Sequence, residues 1–394
     1  KSAPMKPLQK RPLLMMTINI ADTFNKIIEG NTAQPKQKNQ QQTADEKGYF
    51  IAYENQEVND YIIKKALGQG SFGRVMLALK GDQNVALKIC RAQPYFTEAM
   101  KQEILIYKRI QRQFPTMAAG FIEDFSYFGH LCYSMELFDI TLFQHLKQTQ
   151  GQGFSLPIIR QLARTLGQWL ANMEDMMIIH TDMKPENMVM MRDELNTLKL
   201  IDYGSAILVE EGSRPTYIQS RFYRSPEITF GVRYDYKIDC WSVGALLLEL
   251  HTCYTVFPAR SSFMLMKMFI SLLGLPPQHI VLEENGQIRQ KVEKYFQKPS
   301  DAHWNAYSDS LIKYGMTKDS YIYLTEECIK SEERDQCYKR DLSKIMLNSR
   351  WTGRDGHSAQ DYEEYFELLS NILVWEKDKR WSGKQILASK FCRE

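Results

Sequence analysis

The segment HTDMKPEN, residues 180–187, holds Asp182, Lys184 and Asn187 within one short stretch. Fifteen residues after Asn187, the segment LKLIDYGSA sets Asp202 behind an apolar run and ahead of Gly204. Phosphoryl transfer needs an acceptor for a hydroxyl proton, a cation near the moving phosphoryl group, and oxygen ligands for a divalent ion. Asp182 suits the first task and Lys184 the second. Asn187 and Asp202 suit the third, because a neutral amide oxygen beside one carboxylate holds a metal without excess negative charge. Each piece alone reads as a polar loop or a strand-ending aspartate. Together, in this order, they point to the chemistry.

Two upstream segments fit the same reaction. LGQGSFGRV (67–75) carries Gly68, Gly70 and Gly73, and glycine lets a backbone approach a polyphosphate because no Cβ intervenes. Alone, the pattern equally describes a glycine-bearing hairpin turn, or a dinucleotide fold in which a helix follows. Here RVMLALK continues as a strand. In VALK, Lys88 sits in an apolar run, where an unpaired ammonium is costly. Glu103, midway along the next helix, is the expected partner. Glu98 is the alternative, but at the helix start the dipole alone accounts for it.

The elements that must hold these residues are legible from periodicity. Alternation over 61–136 reads as antiparallel strands, interrupted by one helix, TEAMKQEILIYKRI, with Met100, Ile104, Tyr107 and Ile110 on one face. After residue 140 the pattern turns helical. LPIIRQLARTLGQWLANM spaces Leu162, Leu166 and Leu170 four apart, and YDYKIDCWSVGALLLELHT reads as a buried helix. No internal repeat is present. Residues 1–32 hold one amphipathic candidate, LLMMTINIADTFNKIIEG, and the Gln-rich stretch 33–47 reads as a polar linker.

Bulk properties set the outer limits. The chain has 394 residues, 44% apolar and 25% charged, with a net charge of +3. Its length suggests about two or three folding units. The first 48 residues carry eight Lys and Arg against four Asp and Glu, so the excess of +4 lies there and the remainder is at −1. A near-neutral body offers no strong field for nucleic acid. Seven scattered cysteines (Cys90, Cys132, Cys240, Cys253, Cys328, Cys337, Cys392) form no CxxC pair, the usage of reduced thiols in a reducing compartment. Apolar runs such as VGALLLEL fall far short of a bilayer span. The chain opens on lysine with no signal peptide, and reads as a trimmed segment.

With these residues in place, the sequence resembles the eukaryotic protein kinases. The resemblance implies an α+β, bilobal fold over residues 61–392. A small β-rich lobe with one main helix spans 61–136, and a larger helical lobe 140–392. ATP and Mg2+ would lie in the cleft. Leu67, Val75 and Ala86 would cover the adenine and Val189 would floor it. The main chain of Glu136 and Phe138 would form the hinge, with Met135 as gatekeeper. Glu103 would pair with Lys88, Asp239 would buttress the loop at 180–187, and Glu227 with Arg380 would anchor the large lobe.

TYIQSRFYRSPE (216–227), GQGFSLPIIRQLA (151–163) and LLGLPP resemble the dual-specificity tyrosine-regulated kinases of the CMGC group. Gly48 and Tyr49 resemble the flanking box of that family, placed at 48–60, and the group's insert falls at about 280–355. The resemblance implies autophosphorylation on Tyr217, with Arg221 and Arg224 placed to take the phosphate. It also implies Ser/Thr protein substrates, with Arg224 favouring proline after the phosphoacceptor. The catalytic domain would be monomeric and intracellular, cytoplasmic, nuclear or both, without nucleic-acid or membrane partners. Three residues depart from the family's pattern: Tyr203, whose hydroxyl needs a partner, Met183 and Met135. Thr181 stands where many kinases carry an arginine, and relatives of this branch a cysteine. The sister LAMMER-type and pre-mRNA-processing branches share SRFYR and remain an alternative. A pseudokinase scaffold is a further one, opposed by the presence of Lys88, Asp182, Asn187 and Asp202.

Overall fold

The computed structural model describes residues 43–209, 217–283, 286–312, 318, 322–326, 328, 340–354 and 357–393. The amphipathic stretch before residue 31 and most of the Gln-rich segment lie outside them, as do parts of the expected insert, the longest being 329–339. No helix among the described residues is long and apolar enough to cross a membrane.

Six antiparallel strands build the small lobe: β1 (Glu57–Val58), β2 (Tyr61–Gln69), β3 (Gly73–Lys80), β4 (Gln83–Cys90), β5 (Phe121–Tyr127) and β6 (His130–Glu136). Their order in the sheet is β1-β2-β3-β4-β6-β5. In β4 every residue from Val85 to Cys90 is buried. One of its faces joins a cluster with Val58, Tyr61 and Ile63, and the other packs toward helix α1 (Pro94–Gln113). Sequence periodicity starts that helix three residues late, because Pro94 opens it with a preset φ and no N–H to lose. Met100, Ile104, Tyr107 and Ile110 form its buried face, as expected, and Glu103 is buried among them at 1% exposure.

The large lobe follows through β7 (Ile140–Thr141) and helices α2 (Leu142–Gln148) and α3 (Leu156–Asp175). Leu162, Leu166 and Leu170 are all buried. Four short strands come next: β8 (Ile178–Ile179), β9 (Met188–Met191), β10 (Glu194–Leu200) and β11 (Ile207–Leu208). Strand β8 pairs with β11, and β9 pairs with β10. The loop 180–187 leaves β8 and enters β9, while the turn 201–206 leaves β10 and enters β11. The two ladders therefore hold both chemistry-bearing loops side by side.

Helices α4 (Pro226–Phe230), α5 (Lys237–Thr252), α6 (Ser262–Leu273) and α7 (Ala359–Ile372) complete the core. In α5 every residue from Ile238 to Thr252 is buried, the placement expected of a helix apolar all round. Two boundaries differ from the sequence reading. Strand β1 precedes residue 61, and residues 43–47 are not an open linker. Ala44 bridges Phe50, and the Asp45 carboxylate accepts from the main-chain N–H of Lys47 and Tyr49.

Candidate active site

The site is assembled from the small lobe downward. Lys88 on β4 donates to Glu103 Oε1 at 2.7 Å and to Asp202 Oδ1 at 3.1 Å. Glu103 also accepts from the Tyr133 hydroxyl at 2.8 Å. Burial by itself would lower the Lys88 ammonium, but Asp202 and Glu103 outweigh it and raise its pKa. Asp202 is held down at about 2, chiefly by the Lys88 charge and against partial desolvation in the cleft. Burial pushes Glu103 up, while Lys88 and the Tyr133 hydroxyl pull it back. Glu98, the alternative partner, instead pairs with Lys101 on the exposed face.

Asp202 adopts a left-handed backbone, φ 64° and ψ 69°, a conformation that Asp tolerates better than most residues and that clusters at functional sites. Its side chain is 41% exposed, so one carboxylate oxygen faces open space. Tyr203 behind it is 1% exposed, and its hydroxyl finds the partner it needs in the Leu200 carbonyl at 3.3 Å. The ring stands edge-on to Tyr107 at 5.2 Å and to His180 at 5.1 Å.

In the loop 180–187, Asp182 Oδ2 accepts from Lys184 Nζ at 2.7 Å and from Asn187 Nδ2 at 3.0 Å. Asn187 Nδ2 also donates to the Asp182 carbonyl at 2.9 Å. That fixes the amide orientation and leaves Oδ1 as the atom for an ion. Asp239 of α5 accepts the main-chain N–H of His180 at 2.6 Å and of Thr181 at 3.0 Å, the buttress expected. Burial pushes the Asp239 carboxyl up to about 7 even though both N–H groups pull it down. Thr181, at φ 66°, donates its hydroxyl to the Ser205 carbonyl at 2.8 Å. The threonine thus ties the two chemistry-bearing loops together.

Ser220 was not singled out by sequence reasoning. Its hydroxyl donates to Asp182 Oδ1 at 2.6 Å and accepts from Lys184 Nζ at 3.2 Å. Arg224 is buried, and its guanidinium donates to the carbonyls of Ile218 at 3.1 Å and Gln219 at 2.8 Å. It also lies 4.1 Å from the Tyr217 ring centre. Arg221 donates to the Arg260 carbonyl. Burial, the largest influence on the Tyr217 hydroxyl, raises its pKa, but Arg224 and Arg221 reverse this and leave it below the ordinary value.

Around the cleft, Ala86 stands opposite Met135, and the Glu136 N–H is taken by the Gly120 carbonyl at 2.8 Å. Leu67, Val75 and Phe138 are part-buried against the main core from the strands and the hinge. Val189 lies on β9, half-buried. Gly68 and Gly70 have open space where a Cβ would stand, whereas one at Gly73 would overlap the Ile89 carbonyl. The third glycine therefore serves the β3–β4 pairing, not the turn. Glu227 and Arg380 form the expected buried, two-pronged pair, at 2.7 and 3.1 Å.

The protein kinase domain family matches residues 61–392. Among curated relatives, dual specificity tyrosine-phosphorylation-regulated kinase 3 of Mus musculus is 38% identical over 241 residues, covering 60% of this chain and 40% of its own length. A putative homolog of that kinase in Drosophila melanogaster is 31% identical over 338 residues, covering 84% of this chain and 38% of its own length. Dual specificity tyrosine-phosphorylation-regulated kinase 4 of Homo sapiens is 36% identical over 239 residues, with 59% and 46% covered. The chain thus spans less than half the length of these relatives. The domain match takes in far more than half of the chain, which therefore belongs to the protein kinase family.

Proposed function

We propose that the chain transfers the γ-phosphoryl group of ATP to serine or threonine of protein substrates and to its own Tyr217. The observation that carries this reading is Lys88, bonded at once to Glu103 and to Asp202, with the Asp182–Lys184–Asn187 cluster on the adjoining loop.

The residues fit ATP with magnesium. No protein atom crowds Gly68 or Gly70, so a close backbone approach by phosphate is what calls for glycine there. Asn187 Oδ1 and the exposed carboxylate oxygen of Asp202 would hold the ion, which would supply positive charge at the β- and γ-phosphate oxygens. Lys88 grips the phosphates. Asp182 accepts the proton as the substrate hydroxyl oxygen bonds to the γ-phosphorus and the bond to the β–γ bridging oxygen breaks, releasing ADP. Lys184 and Ser220 hold Asp182 in that orientation. Leu67, Val75, Ala86 and Val189 sandwich the adenine, beside the main chain of Glu136 and Phe138 and the gatekeeper Met135.

A preference for proline after the phosphoacceptor is supported by Arg224, whose bond to the Gln219 carbonyl engages a residue at φ 64°. Autophosphorylation on Tyr217 is supported by the two guanidiniums beside its hydroxyl. Asp182→Asn is the test, read by transfer to a peptide and by mass mapping of Tyr217. Both signals should vanish while the fold persists. Undiminished transfer by the purified variant would exclude Asp182 as the base.

A further inference from the structure

Residues 43–50 lie ahead of the matched domain, yet their contacts converge on the tip of the glycine-bearing turn between β2 and β3. The segment is anchored at both ends. Phe50 is 1% exposed, edge-on to Tyr127 and to His130, and its carbonyl accepts from Arg74 at 2.5 Å. Gly48, at φ 81°, lends its carbonyl to the Ala92 N–H at 2.8 Å. From this base the Tyr49 ring meets two guanidiniums, 4.7 Å from Arg91 and 5.4 Å from Arg74. Its hydroxyl donates to the Gly70 carbonyl at 3.1 Å.

Arg91 completes the link. It donates to the Lys47 carbonyl at 2.8 Å on one side and to the Ser71 carbonyl at 3.3 Å on the other, and its main-chain N–H reaches the Phe72 carbonyl at 3.0 Å. Three consecutive carbonyls of the turn, at residues 70–72, are therefore fixed from outside it. Gly70 has no packing of its own at the Cβ position, and such a turn opens easily unless something holds it. A turn ordered before ATP arrives loses less freedom on binding.

We propose that Tyr49 is a positioning residue for the nucleotide, its hydroxyl holding the phosphate-covering turn in the closed register. The role rests on the kinase reading above. Tyr49→Phe keeps the ring against its guanidiniums and removes only the hydroxyl. The expected result is an ATP KM raised about fivefold, the factor that one net hydrogen bond sets, with kcat and Tm near wild type. Amide exchange at residues 71–73 should quicken while that of β4 stays unchanged. An unchanged KM together with unchanged exchange at the turn overturns the role. Calorimetry with Mg-ATP separates the two claims: no binding by the wild type overturns the kinase assignment, whereas equal binding by wild type and variant overturns only that of Tyr49.

Discussion

Ser220 reaches back 38 positions along the chain to donate its hydroxyl to Asp182 Oδ1 at 2.6 Å. The Ser220 hydroxyl oxygen in turn accepts from Lys184 Nζ at 3.2 Å, so one serine bridges the proposed base and the proposed phosphoryl-stabilising cation. A hydrogen bond to a charged group is worth about 1.5–3 kcal/mol. Ser220→Ala should therefore lower kcat about tenfold or more, with little change in ATP KM. Ser220→Thr, which keeps the hydroxyl, should restore most of the rate. Steady-state kinetics on both variants decide it, and an alanine variant as fast as wild type would remove Ser220 from the machinery.

The contrast between Ser220 and its neighbours shows what the sequence made legible. Asp182, Lys184 and Asn187 sit on one short loop, and Asp202 follows in the turn after β10, so their order and spacing carry the reaction. Ser220 approaches from another part of the chain. One serine in QSRFYR has no spacing that marks it, whereas Arg221 and Arg224 stand four and seven residues beyond Tyr217. Tyr49 is marked in the sequence only as part of a flanking box, and its link to the glycine-bearing turn is illegible there, since only the fold brings its hydroxyl to Gly70. Pro94 misled by one turn of helix because it carries no apolar periodicity. Gly73 was grouped with Gly68 and Gly70 by pattern, and only the β3–β4 pairing distinguishes its task.

His251 closes α5 from inside the large lobe. Its Nδ1–H donates to the Phe154 carbonyl at 2.8 Å, and its Nε2 accepts from the Tyr362 hydroxyl at 3.3 Å. Burial lowers its pKa from 6.5 to about 4, with the Phe154 carbonyl opposing and His357 assisting. Between those values the unfolded chain binds a proton that the folded chain refuses, so stability falls as the pH drops from 6.5 toward 4 and is intact above 6.5. The loss amounts to about 3 kcal/mol at the acid end. A Tm series from pH 7.5 to 4.5 should show a shallower acid decline for His251→Gln than for wild type, whatever the variant's Tm at neutral pH. Parallel curves would assign the acid lability elsewhere.

Glu227 and Arg380 offer a stability test independent of catalysis. Arg380 is fully buried and Glu227 is 4% exposed. Beyond the carboxylate, Arg380 donates to the Lys237 carbonyl at 3.1 Å and the Val374 carbonyl at 2.9 Å. Removing the acid alone strands a buried cation, and Glu227→Ala should cost about 3–5 kcal/mol. Replacing both charges by methionine removes the stranded cation, and in many proteins such swaps are neutral. Here the two carbonyls lose their donor, so the double variant should recover only part of the loss. Urea midpoints for the single and double variants separate these contributions. Full recovery by the double variant would mean that the pair acts on stability only through its own charges, and that the carbonyls find other donors once the guanidinium is gone.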